Sequence, residues 1–594
     1  MIIIDVECYK NYFLLAALST ETQNVKTFEL HADCKLDRGA LSSLMSRKLT
    51  GSFNGNGYDL PIIAAAIAGA TNAELKKISD GIIKSKQPAW RVLRDLKIEV
   101  PKNWNHIDCL EVAQGQASLK IYGGRLGAKK LQDLPIEPDD LITPEQRELM
   151  RAYCVNDLKT TELLFNTLSK QIKLREQMGA KYGMDLRSKS DAQIAETIIL
   201  SELKAVTGKS YRPANLPDDF SFHYQNPKIV SFDSENLTAI FNRILKTPFA
   251  LAGNGSVTLP DFLKREKVKV GGVDYQMGIG GLHSCEKSQY IKPAADELLF
   301  DLDVASYYPN IILQQNLSPT ALGAPFLRLY KAMVTERIAA KNSGDKVKAD
   351  TLKICLNGSF GKLGSKYSAL FAPELLLQTT MTGQLCLLML IERITATGAR
   401  IVSANTDGIV ILCKKALQSA VMSAAFDWEL DTTFTLERTD YAAIASRDVN
   451  NYVAVKVDGS TKGKGVFTGS SISKNPNGEI IFEAVAQTIA QQGNAQTVKN
   501  IICNSTDIKK FLTVRKVQGG AVWRGEKLGR AVRFYNSLTV KSDESIHYLL
   551  NNNRVPNSAG CKPRMDLPDT LPNDIDYHAY VVAAEKLLCE VGYV

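Results

Sequence analysis

The stretch 300-FDLDVASYYPNII-312 places two carboxylates, Asp301 and Asp303, on an apolar run that is typical of a buried β-strand. An unpaired ionised carboxylate is very costly in a low-dielectric interior. The stretch therefore predicts that positive charge lies beside this strand, and the rest of the sequence has to indicate its source.

Composition limits the classes of protein to consider. A chain of 594 residues exceeds what one hydrophobic core usually organises, so several domains are expected. No apolar run reaches the roughly 18 residues of a membrane span, and the N-terminal MIIIDVECYK lacks the basic segment of a signal peptide. The eleven cysteines are never closer than Cys8 and Cys34, which excludes CxxC motifs and favours reduced thiols in a cytoplasm-like compartment. The net charge of +9 suits a polyanionic partner.

Local patterns predict the elements that carry the candidate sites. The segments IIIDVE and YFLLAALST read as paired strands, and Thr143-Pro144 reads as the start of a long helix. Further along, a helical hairpin is predicted, because Asn342-Ser343-Gly344 ends one helix and Asp345 can cap the next. Strand, turn and strand are predicted for IVSANTDGIVIL, with Asp407 at the hairpin tip.

Two groups of side chains then suggest chemistry. Asp303 and Asp407, brought together at strand ends, would hold divalent cations, since Mg²⁺ takes carboxylate oxygens. On the helical hairpin, residues four apart share a face and could clamp a triphosphate, namely Arg337 with Lys341 and Lys353 with Asn357. In the N-terminal region, four acids from three separate elements can converge on two cations that activate water: Asp5, Glu7, Asp59 and Asp157.

The order of these motifs resembles the family B DNA polymerases with a 3′→5′ proofreading exonuclease. DVASYYPNII resembles their first palm motif, KICLNGSFG their fingers motif and ANTDGI their third motif. The resemblance implies metal ligation by Asp303, Val304 and Asp407, and nucleotide binding by Tyr308, Arg337, Lys341, Lys353 and Asn357, with Lys353 also catalytic.

The same resemblance assigns the N-terminal acids to the exonuclease. It implies that Asp5, Glu7, Asp59 and Asp157 hold metal there and that Tyr153 assists catalysis. It also implies DNA contacts, which are Asn54, Ser118, Leu119 and Lys130 at the single-stranded 3′ end, Gly280 and Gly281 between the two sites, and Gly361 and Tyr452 near the primer.

A basic segment near the C-terminus, residues 507–535, interleaves aromatic residues with lysines and arginines. We predict that it is part of a thumb that grips duplex phosphates through Arg524, Arg530 and Arg533. The alternative is a solvated basic face over core aromatic residues.

The sequence departs from the family pattern at several positions. Asn405 stands where the third motif usually has a first aspartate, which removes one negative charge beside the metal site. Gly358 and Phe360 replace the usual serine and tyrosine of the fingers motif. Asn450 replaces a lysine near the primer end, and Gly278 replaces a tyrosine of the linker.

The implied fold is a multidomain α+β and α/β chain, in which an RNase H-like exonuclease precedes a right-hand polymerase with an antiparallel palm sheet. The predicted regions are an exonuclease domain (1–185), a linker region (186–290), the first part of the palm (291–324), a fingers helical hairpin (325–360), the second part of the palm (361–468), and a thumb and C-terminal region (469–594).

The implied activity is template-directed DNA synthesis with proofreading, with two Mg²⁺ ions at each active site and Mn²⁺ as a substitute. Expected partners are primer-template DNA, dNTPs and a clamp, helicase or single-strand-binding protein, with a monomeric chain and no membrane. The intervals from Asp303 to Lys353 and from Gly361 to Asp407 have no room for the insertions of protein-primed phage polymerases, so an RNA- or DNA-primed enzyme of modest processivity is expected. By analogy, the compact size and the missing insertions suggest a bacteriophage enzyme in the host cytoplasm. Two alternatives stay open: an exonuclease with a degenerate polymerase half, and a catalytically silent DNA-binding scaffold.

Overall fold

The computed structural model describes residues 1–85, 89–217 and 219–594, which form two compact units of mixed α/β structure. Unit 1 comprises Met1–Ser190, Gly469–Ile481 and Ile502–Tyr580, and unit 2 comprises Asp191–Thr468, Phe482–Ile501 and Val581–Val594. The region 469–594, predicted as thumb and C-terminal region, is therefore divided between the units, and the functional names of the predicted domains stay predictions.

Unit 1 is built on a five-stranded sheet of order β3-β2-β1-β4-β5. Its N-terminal elements are β1 (Ile2–Cys8), β2 (Phe13–Ser19), β3 (Val25–Leu30), α1 (Arg38–Arg47), β4 (Thr50–Ser52), α2 (Asp59–Ala68), α3 (Asn72–Lys84), α4 (Ala89–Asp95), β5 (His106–Asp108), α5 (Leu119–Leu126), α6 (Gln146–Thr167) and α7 (Ser169–Tyr182). The predicted pairing of the first two strands is confirmed, since β1 and β2 are antiparallel from Ile2↔Ser19 to Cys8↔Phe13. The long helix α6 begins just after the predicted Thr143-Pro144 start.

Unit 2 holds a larger antiparallel sheet of order β18-β17-β16-β13-β15-β14-β11-β10-β9, with β12 beside β16. The elements of unit 2 up to that sheet's last strand are α8 (Asp191–Thr207), β6 (Ser221–His223), α9 (Glu235–Lys246), β7 (Pro248–Leu251), β8 (Val257–Thr258), α10 (Asp261–Arg265), β9 (Val268–Val270), β10 (Val273–Gln276), β11 (His283–Ser284), β12 (Gln289–Ile291), β13 (Glu297–Val304), α11 (Tyr307–Gln314), α12 (Gly323–Ser343), α13 (Lys346–Leu363), α14 (Pro373–Ala396), β14 (Arg400–Asn405), β15 (Gly408–Lys414), α15 (Gln418–Thr432), β16 (Leu436–Asp448), β17 (Asn451–Lys456) and β18 (Thr461–Lys464).

The C-terminal part of the chain adds helices and a separate four-stranded sheet of order β21-β19-β20-β22. These elements are α16 (Glu479–Ala490), α17 (Ala495–Cys503), β19 (Thr513–Trp523), β20 (Glu526–Asn536), β21 (His547–Tyr548), β22 (Cys561–Pro563) and α18 (Tyr577–Glu590). The basic segment 507–535 thus forms most of a hairpin, whose turn residues Arg524 and Gly525 both have positive φ angles of 50° and 84°. Such angles suit the tight turn of a twisted antiparallel pair.

The helical hairpin forms where the capping residues predict it. Helix α12 ends at Ser343, with Gly344 in the left-handed conformation at φ 76°, and the side chain of Asp345 accepts the Lys348 N–H at the start of α13. Glycine adopts this conformation without a Cβ clash, and aspartate satisfies an otherwise unpaired N–H group of the first turn. The predicted hairpin is therefore confirmed.

Helix α14 is the central element of the unit 2 core. It is long and apolar enough to cross a membrane, but its most apolar window is 89% buried within the protein. Met381, Leu385 and Leu388 on this helix are fully buried and pack in the same core cluster as Phe300 of β13. We therefore identify α14 as a core helix on which the sheet of unit 2 packs.

We expect His106 to make unit 1 sensitive to acid. Its ring is buried and hydrogen-bonds Thr50 Oγ1 at 2.9 Å and Ser52 Oγ at 3.1 Å. Burial, with a smaller contribution from Arg187, lowers the pKa of His106 from 6.5 to about 4. Because the unfolded chain binds this proton more readily, stability from the neutral ring is complete above pH 6.5 and is lost as the pH falls toward 4, by roughly 3 kcal/mol.

The variant His106→Gln removes this titration while keeping a polar side chain. Urea unfolding at pH 7 and at pH 4.5, followed for both proteins, measures the difference. The wild-type chain should lose more stability between the two pH values than the variant, and equal losses would contradict the assignment.

Candidate functional site

Asp303 and Asp407, called here the carboxylate pair, lie close together in unit 2, Asp303 near the end of β13 and Asp407 just before the neighbouring strand β15. Asp303 is opposite Gly408 in the antiparallel pairing of β13 with β15, and the Val304 N–H donates to the Asp407 carbonyl at 2.7 Å. Asp407 lies in the two-residue turn between β14 and β15, at the hairpin tip that the sequence predicts. Two carboxylates from distant parts of the chain are thus adjacent where β13 ends and β15 begins.

The electrostatics of the carboxylate pair favour a bound cation. Burial, then the charges of Asp407 and Asp301, raise the pKa of Asp303 to about 6. Loss of surrounding water also raises the pKa of Asp407, although its side chain is open to solvent on one side and Lys464 opposes the shift. Hard carboxylate oxygens that repel one another are a donor set that fits Mg²⁺ or Mn²⁺, because a divalent ion offsets the repulsion.

Asp301, to which the sequence assigns no role, is buried within β13. Its side chain is 7% exposed, and its Oδ2 accepts hydrogen bonds from Lys462 Nζ at 3.1 Å and Tyr441 Oη at 3.0 Å. Lys462 therefore supplies positive charge beside Asp301, whereas the sequence predicts metal ions as the positive charge beside Asp303. The sequence analysis missed Lys462 because it is 161 positions away from Asp301.

The helical hairpin lies beside the residues that follow β13. The guanidinium of Arg337 donates to Ser306 Oγ at 3.4 Å, and the ring of Phe360 stacks on Tyr308 with centroids 4.8 Å apart. The hairpin carries three other side chains that are predicted to bind the nucleotide, and all three are exposed: Lys341, Lys353 and Asn357. Gly361 is exposed as well, with open space where a Cβ would stand.

A glycine loop closes against the tip of the β14–β15 hairpin. A Cβ on Gly281 would lie 2.9 Å from the side chain of Thr406, so the close approach requires glycine, whereas Gly280 faces open space. The Gly280 carbonyl accepts the hydroxyl of Tyr308 at 2.8 Å. The amide of Asn405 donates to the Val449 carbonyl at 2.8 Å, which fixes this side chain in the hairpin tip next to Asp407.

Tyr452 on β17 also lies close to the carboxylate pair. Burial raises the pKa of Tyr452, and the charges of Asp301, Asp303 and Asp407 contribute to the increase. Tyr452 is paired in register with Lys464 on β18, and Lys464 in turn acts on Asp407. The structure thus places two lysines of β18, Lys462 and Lys464, beside the carboxylates, and the sequence analysis identified neither.

Unit 1 contains the second site, an acid cluster formed by Asp5, Glu7, Asp59 and Asp157. One carboxylate oxygen from each of Asp5, Glu7 and Asp157 lies within 4.8 Å of the others, which is close enough to share a metal ion. Asp5 and Glu7 lie on β1, Asp157 on α6, and Asp59 is the buried first residue of α2. The structure therefore brings together the acids that the sequence predicts as one group.

Burial and mutual repulsion raise the pKa values of the acid cluster. The pKa of Asp5 rises to about 7, through burial and then the charge of Asp157, and the pKa of Glu7 rises well above its usual value through burial and then Asp5. Burial followed by the charge of Asp5 does the same for Asp59. A divalent cation would relieve this repulsion, so the donor set fits Mg²⁺ or Mn²⁺.

Lys120 supplies a cation to the acid cluster. Its ammonium contacts both carboxylate oxygens of Asp157 and lies 4.4 Å from the centroid of the Tyr153 ring. This lysine partly offsets the burial that raises the pKa of Asp157. It follows Ser118 and Leu119, which the sequence analysis singled out, but only the folded chain shows that its partner is on α6.

The loop that carries Asn54 is organised by Asp108, another residue that the sequence analysis missed. The buried Asp108 carboxylate accepts the backbone N–H groups of Asn54 at 2.9 Å and Asn56 at 3.0 Å. Asn54 itself is exposed and has a positive φ of 66°. Of the other predicted contacts with a 3′ end, Ser118 and Lys130 are exposed, whereas Leu119 is buried and offers little surface.

The prediction that Arg533 contacts DNA is wrong. Its side chain is fully buried in unit 1 and donates to the carbonyls of Ala128, Arg564 and Met565 at 2.8–2.9 Å. Burial lowers the pKa of Arg533 to about 10. The residue therefore holds the β20 strand to neighbouring backbone segments.

The other two arginines of the basic hairpin are at the surface. Arg530 is exposed. Arg524 pairs with Glu544 through two hydrogen bonds and lies 4.3 Å from the Trp523 ring. A phosphate contact by Arg524 would therefore have to compete with Glu544.

Comparisons with known proteins add a structural resemblance. No protein-family model and no curated protein match the chain. Among solved structures, the chain is similar to the family B DNA polymerase from the hyperthermophilic archaeon Pyrobaculum calidifontis, with 14% sequence identity and a TM-score of 0.42 over 100% of this chain and 78% of that one. At this level of similarity, a functional assignment depends on the residues of this chain.

Proposed function

We propose that the chain is a template-directed DNA polymerase with an intrinsic 3′→5′ proofreading exonuclease, of the family B type. The carboxylate pair would be the polymerase site and the acid cluster the exonuclease site. The observation that carries the proposal is that Asp303, near the end of β13, lies beside Asp407 in the β14–β15 turn, within the unit that also holds the cationic helical hairpin.

The metal ions that this proposal requires would be held by the carboxylate pair. When bound, they would lower the pKa of a primer 3′-hydroxyl and stabilise charge on the phosphates. The chain itself would position the nucleotide. Arg337, Lys341 and Lys353 would bind the triphosphate, and Lys353 would give a proton to the leaving pyrophosphate. Asn357 would contact the same nucleotide from the next turn of α13.

In the exonuclease half, the acid cluster would hold the ions that activate water. Tyr153 and Lys120 would orient the scissile phosphate, because both lie against Asp157. Exposed Asn54, Ser118 and Lys130 would contact the frayed 3′ end. Asp108 would keep the Asn54 loop in its conformation through its backbone hydrogen bonds.

A labelled primer annealed to a longer template tests the proposal directly. The full chain is incubated with Mg²⁺, with and without dNTPs, and the products are separated on a denaturing gel. Extension with dNTPs and shortening without them would support both activities. Shortening alone would favour an exonuclease whose polymerase half has degenerated, which the asparagine at position 405 motivates, and a mobility shift without chemistry would favour a DNA-binding scaffold.

Tyr308 would exclude ribonucleotides by crowding the 2′ position of the incoming sugar. Its ring is fixed by Phe360 on one side and by the hydrogen bond to the Gly280 carbonyl. Tyr308→Val should therefore reduce discrimination against ribonucleotides roughly tenfold or more. The measurement is kcat/KM for dCTP and for CTP, and unchanged discrimination would contradict the role. Tyr330→Phe, which alters a buried tyrosine on α12, is the matched control.

The setting that we propose is replication of the DNA of a bacterial virus in the host cytoplasm. The short intervals between the motifs of the chain, which leave no room for priming insertions, support this setting. A clamp, a helicase or a single-strand-binding protein would then assist a monomeric enzyme. Extension of a single primer in the presence of an enzyme trap would show how much processivity the chain has without them.

A further inference from the structure

Asp301 has no role in the mechanism described above, yet it is a buried acid beside the carboxylate pair. Asp301 and Asp303 are two positions apart on β13, and side chains at this spacing lie on the same face of a sheet. A Cβ placed on Gly408 would lie 3.3 Å from Asp301 Oδ1 and 3.0 Å from Asp303 Oδ1, so both carboxylates reach the same glycine. A buried charge in this position requires a partner.

The partner of Asp301 is Lys462, which comes from a different part of the sheet. Lys462 lies on β18, which is separated from β13 by β17 and β16 in the sheet order. Its ammonium is 3.1 Å from Asp301 Oδ2, the same oxygen that accepts the Tyr441 hydroxyl. The charge of Lys462 also acts on Asp303 and Asp407. A lysine that close to two candidate metal ligands would compete with a divalent ion if it were free to pair with them.

We propose that Asp301 is a positioning residue that holds the Lys462 ammonium away from Asp303 and Asp407, and so keeps the carboxylate pair available to divalent ions. This inference rests on the proposed function, because it assigns metal ligation to the carboxylate pair. Asp301 neutralises Lys462, and the pair keeps its full negative charge. Without Asp301, Lys462 would be free to pair with Asp303 and Asp407, on which its charge already acts.

The test measures Mn²⁺ binding, which does not depend on catalysis. The full chain carries Asp5→Ala and Glu7→Ala so that the acid cluster contributes little, and free Mn²⁺ is followed by electron paramagnetic resonance. Asp301→Asn should weaken binding at the carboxylate pair about tenfold, and adding Lys462→Met should restore it to within about twofold of the parent. Thermal unfolding of each variant reports whether the fold is retained.

Lys464 provides a matched control on the same strand. Lys464→Met should change Mn²⁺ affinity by a similar factor, within about twofold, whether residue 301 is aspartate or asparagine, because the ion pair of Asp301 is with Lys462. Lys462→Met should have a large effect only in the Asp301→Asn background. If Asp301→Asn does not fold, Lys462→Met alone still tests the proposal: it should bind Mn²⁺ at least as tightly as the parent, and weaker binding would overturn it.

The remaining outcomes separate this inference from the proposed function. Unchanged binding in Asp301→Asn would overturn the inference, and so would weak binding that Lys462→Met does not restore, since Asp301 would then act as a ligand itself. If Asp303→Asn with Asp407→Asn binds as many Mn²⁺ ions as the parent, the proposed metal site itself is wrong. In primer extension, Asp301→Asn should raise the half-saturating Mg²⁺ concentration about tenfold, with the rate at saturating Mg²⁺ within about twofold of the parent.

Discussion

Asp303→Asn or Asp407→Asn is expected to lower the rate of DNA synthesis roughly a thousandfold or more, while 3′→5′ degradation continues. Each substitution removes one of the two charges that would hold the metal ions, and those ions supply several kcal/mol of transition-state stabilisation. The neutral amide is nearly isosteric with the carboxylate, so the pairing of β13 with β15 should persist. The acid cluster lies in unit 1 and is not altered.

The measurement is single-nucleotide incorporation on a primer-template, with degradation of a single-stranded oligonucleotide as the internal check. Asp427→Asn is the matched control, because Asp427 is an exposed acid of unit 2 in the same Asp-x-acid spacing. It should synthesise DNA normally. Synthesis at the wild-type rate by either Asp303→Asn or Asp407→Asn would remove the basis of the polymerase assignment.

The second large effect is expected for Asp5→Ala combined with Glu7→Ala, which should lower 3′→5′ degradation roughly a thousandfold and leave synthesis intact. The two side chains supply two of the three carboxylates that approach within 4.8 Å in the acid cluster. Without them, the site loses the ligands that would bind metal and activate water. Because both acids have raised pKa values from burial and repulsion, their removal should also relieve strain in the metal-free protein.

Degradation of a labelled single strand and thermal unfolding without metal measure the two consequences. Glu148→Ala, an exposed acid on the same helix as Asp157, is the control for degradation. A double variant that still shortens single strands at the normal rate would show that the acid cluster is not the nuclease site.

The parts of the fold that the sequence predicts are those that local chemistry decides. The caps at Gly344 and Asp345 and the turn at Asp407 each depend on residues that are neighbours in the chain. The groups of acids were also predicted, because carboxylates that converge from several strands and helices can bind divalent cations. Whether those acids act as proposed stays a prediction that the experiments above address.

The residues that the sequence analysis missed or assigned wrongly depend on contacts between distant segments. Lys120 meets Asp157 from another helix, and Lys462 meets Asp301 across the sheet. The basic pattern around Arg533 predicts a surface cation. In the structure, its guanidinium instead donates to the backbone carbonyls of three other residues. Burial of a charged side chain is decided by the whole fold, and composition alone does not reveal it.

Unit 1 is assembled from stretches that the ribosome makes far apart in time. Val514 and Ala531 of the late hairpin pack against Ile121 of α5, and Gly124 lies so close to Val514 that a Cβ there would be 2.7 Å away. A fragment cut after residue 185 would leave this apolar face of α5 in water and would lack the arginine that bonds the Ala128 carbonyl. We therefore expect the N-terminal part of unit 1 to complete its packing only after the late hairpin has been translated, and nascent chains halted earlier should need chaperone protection.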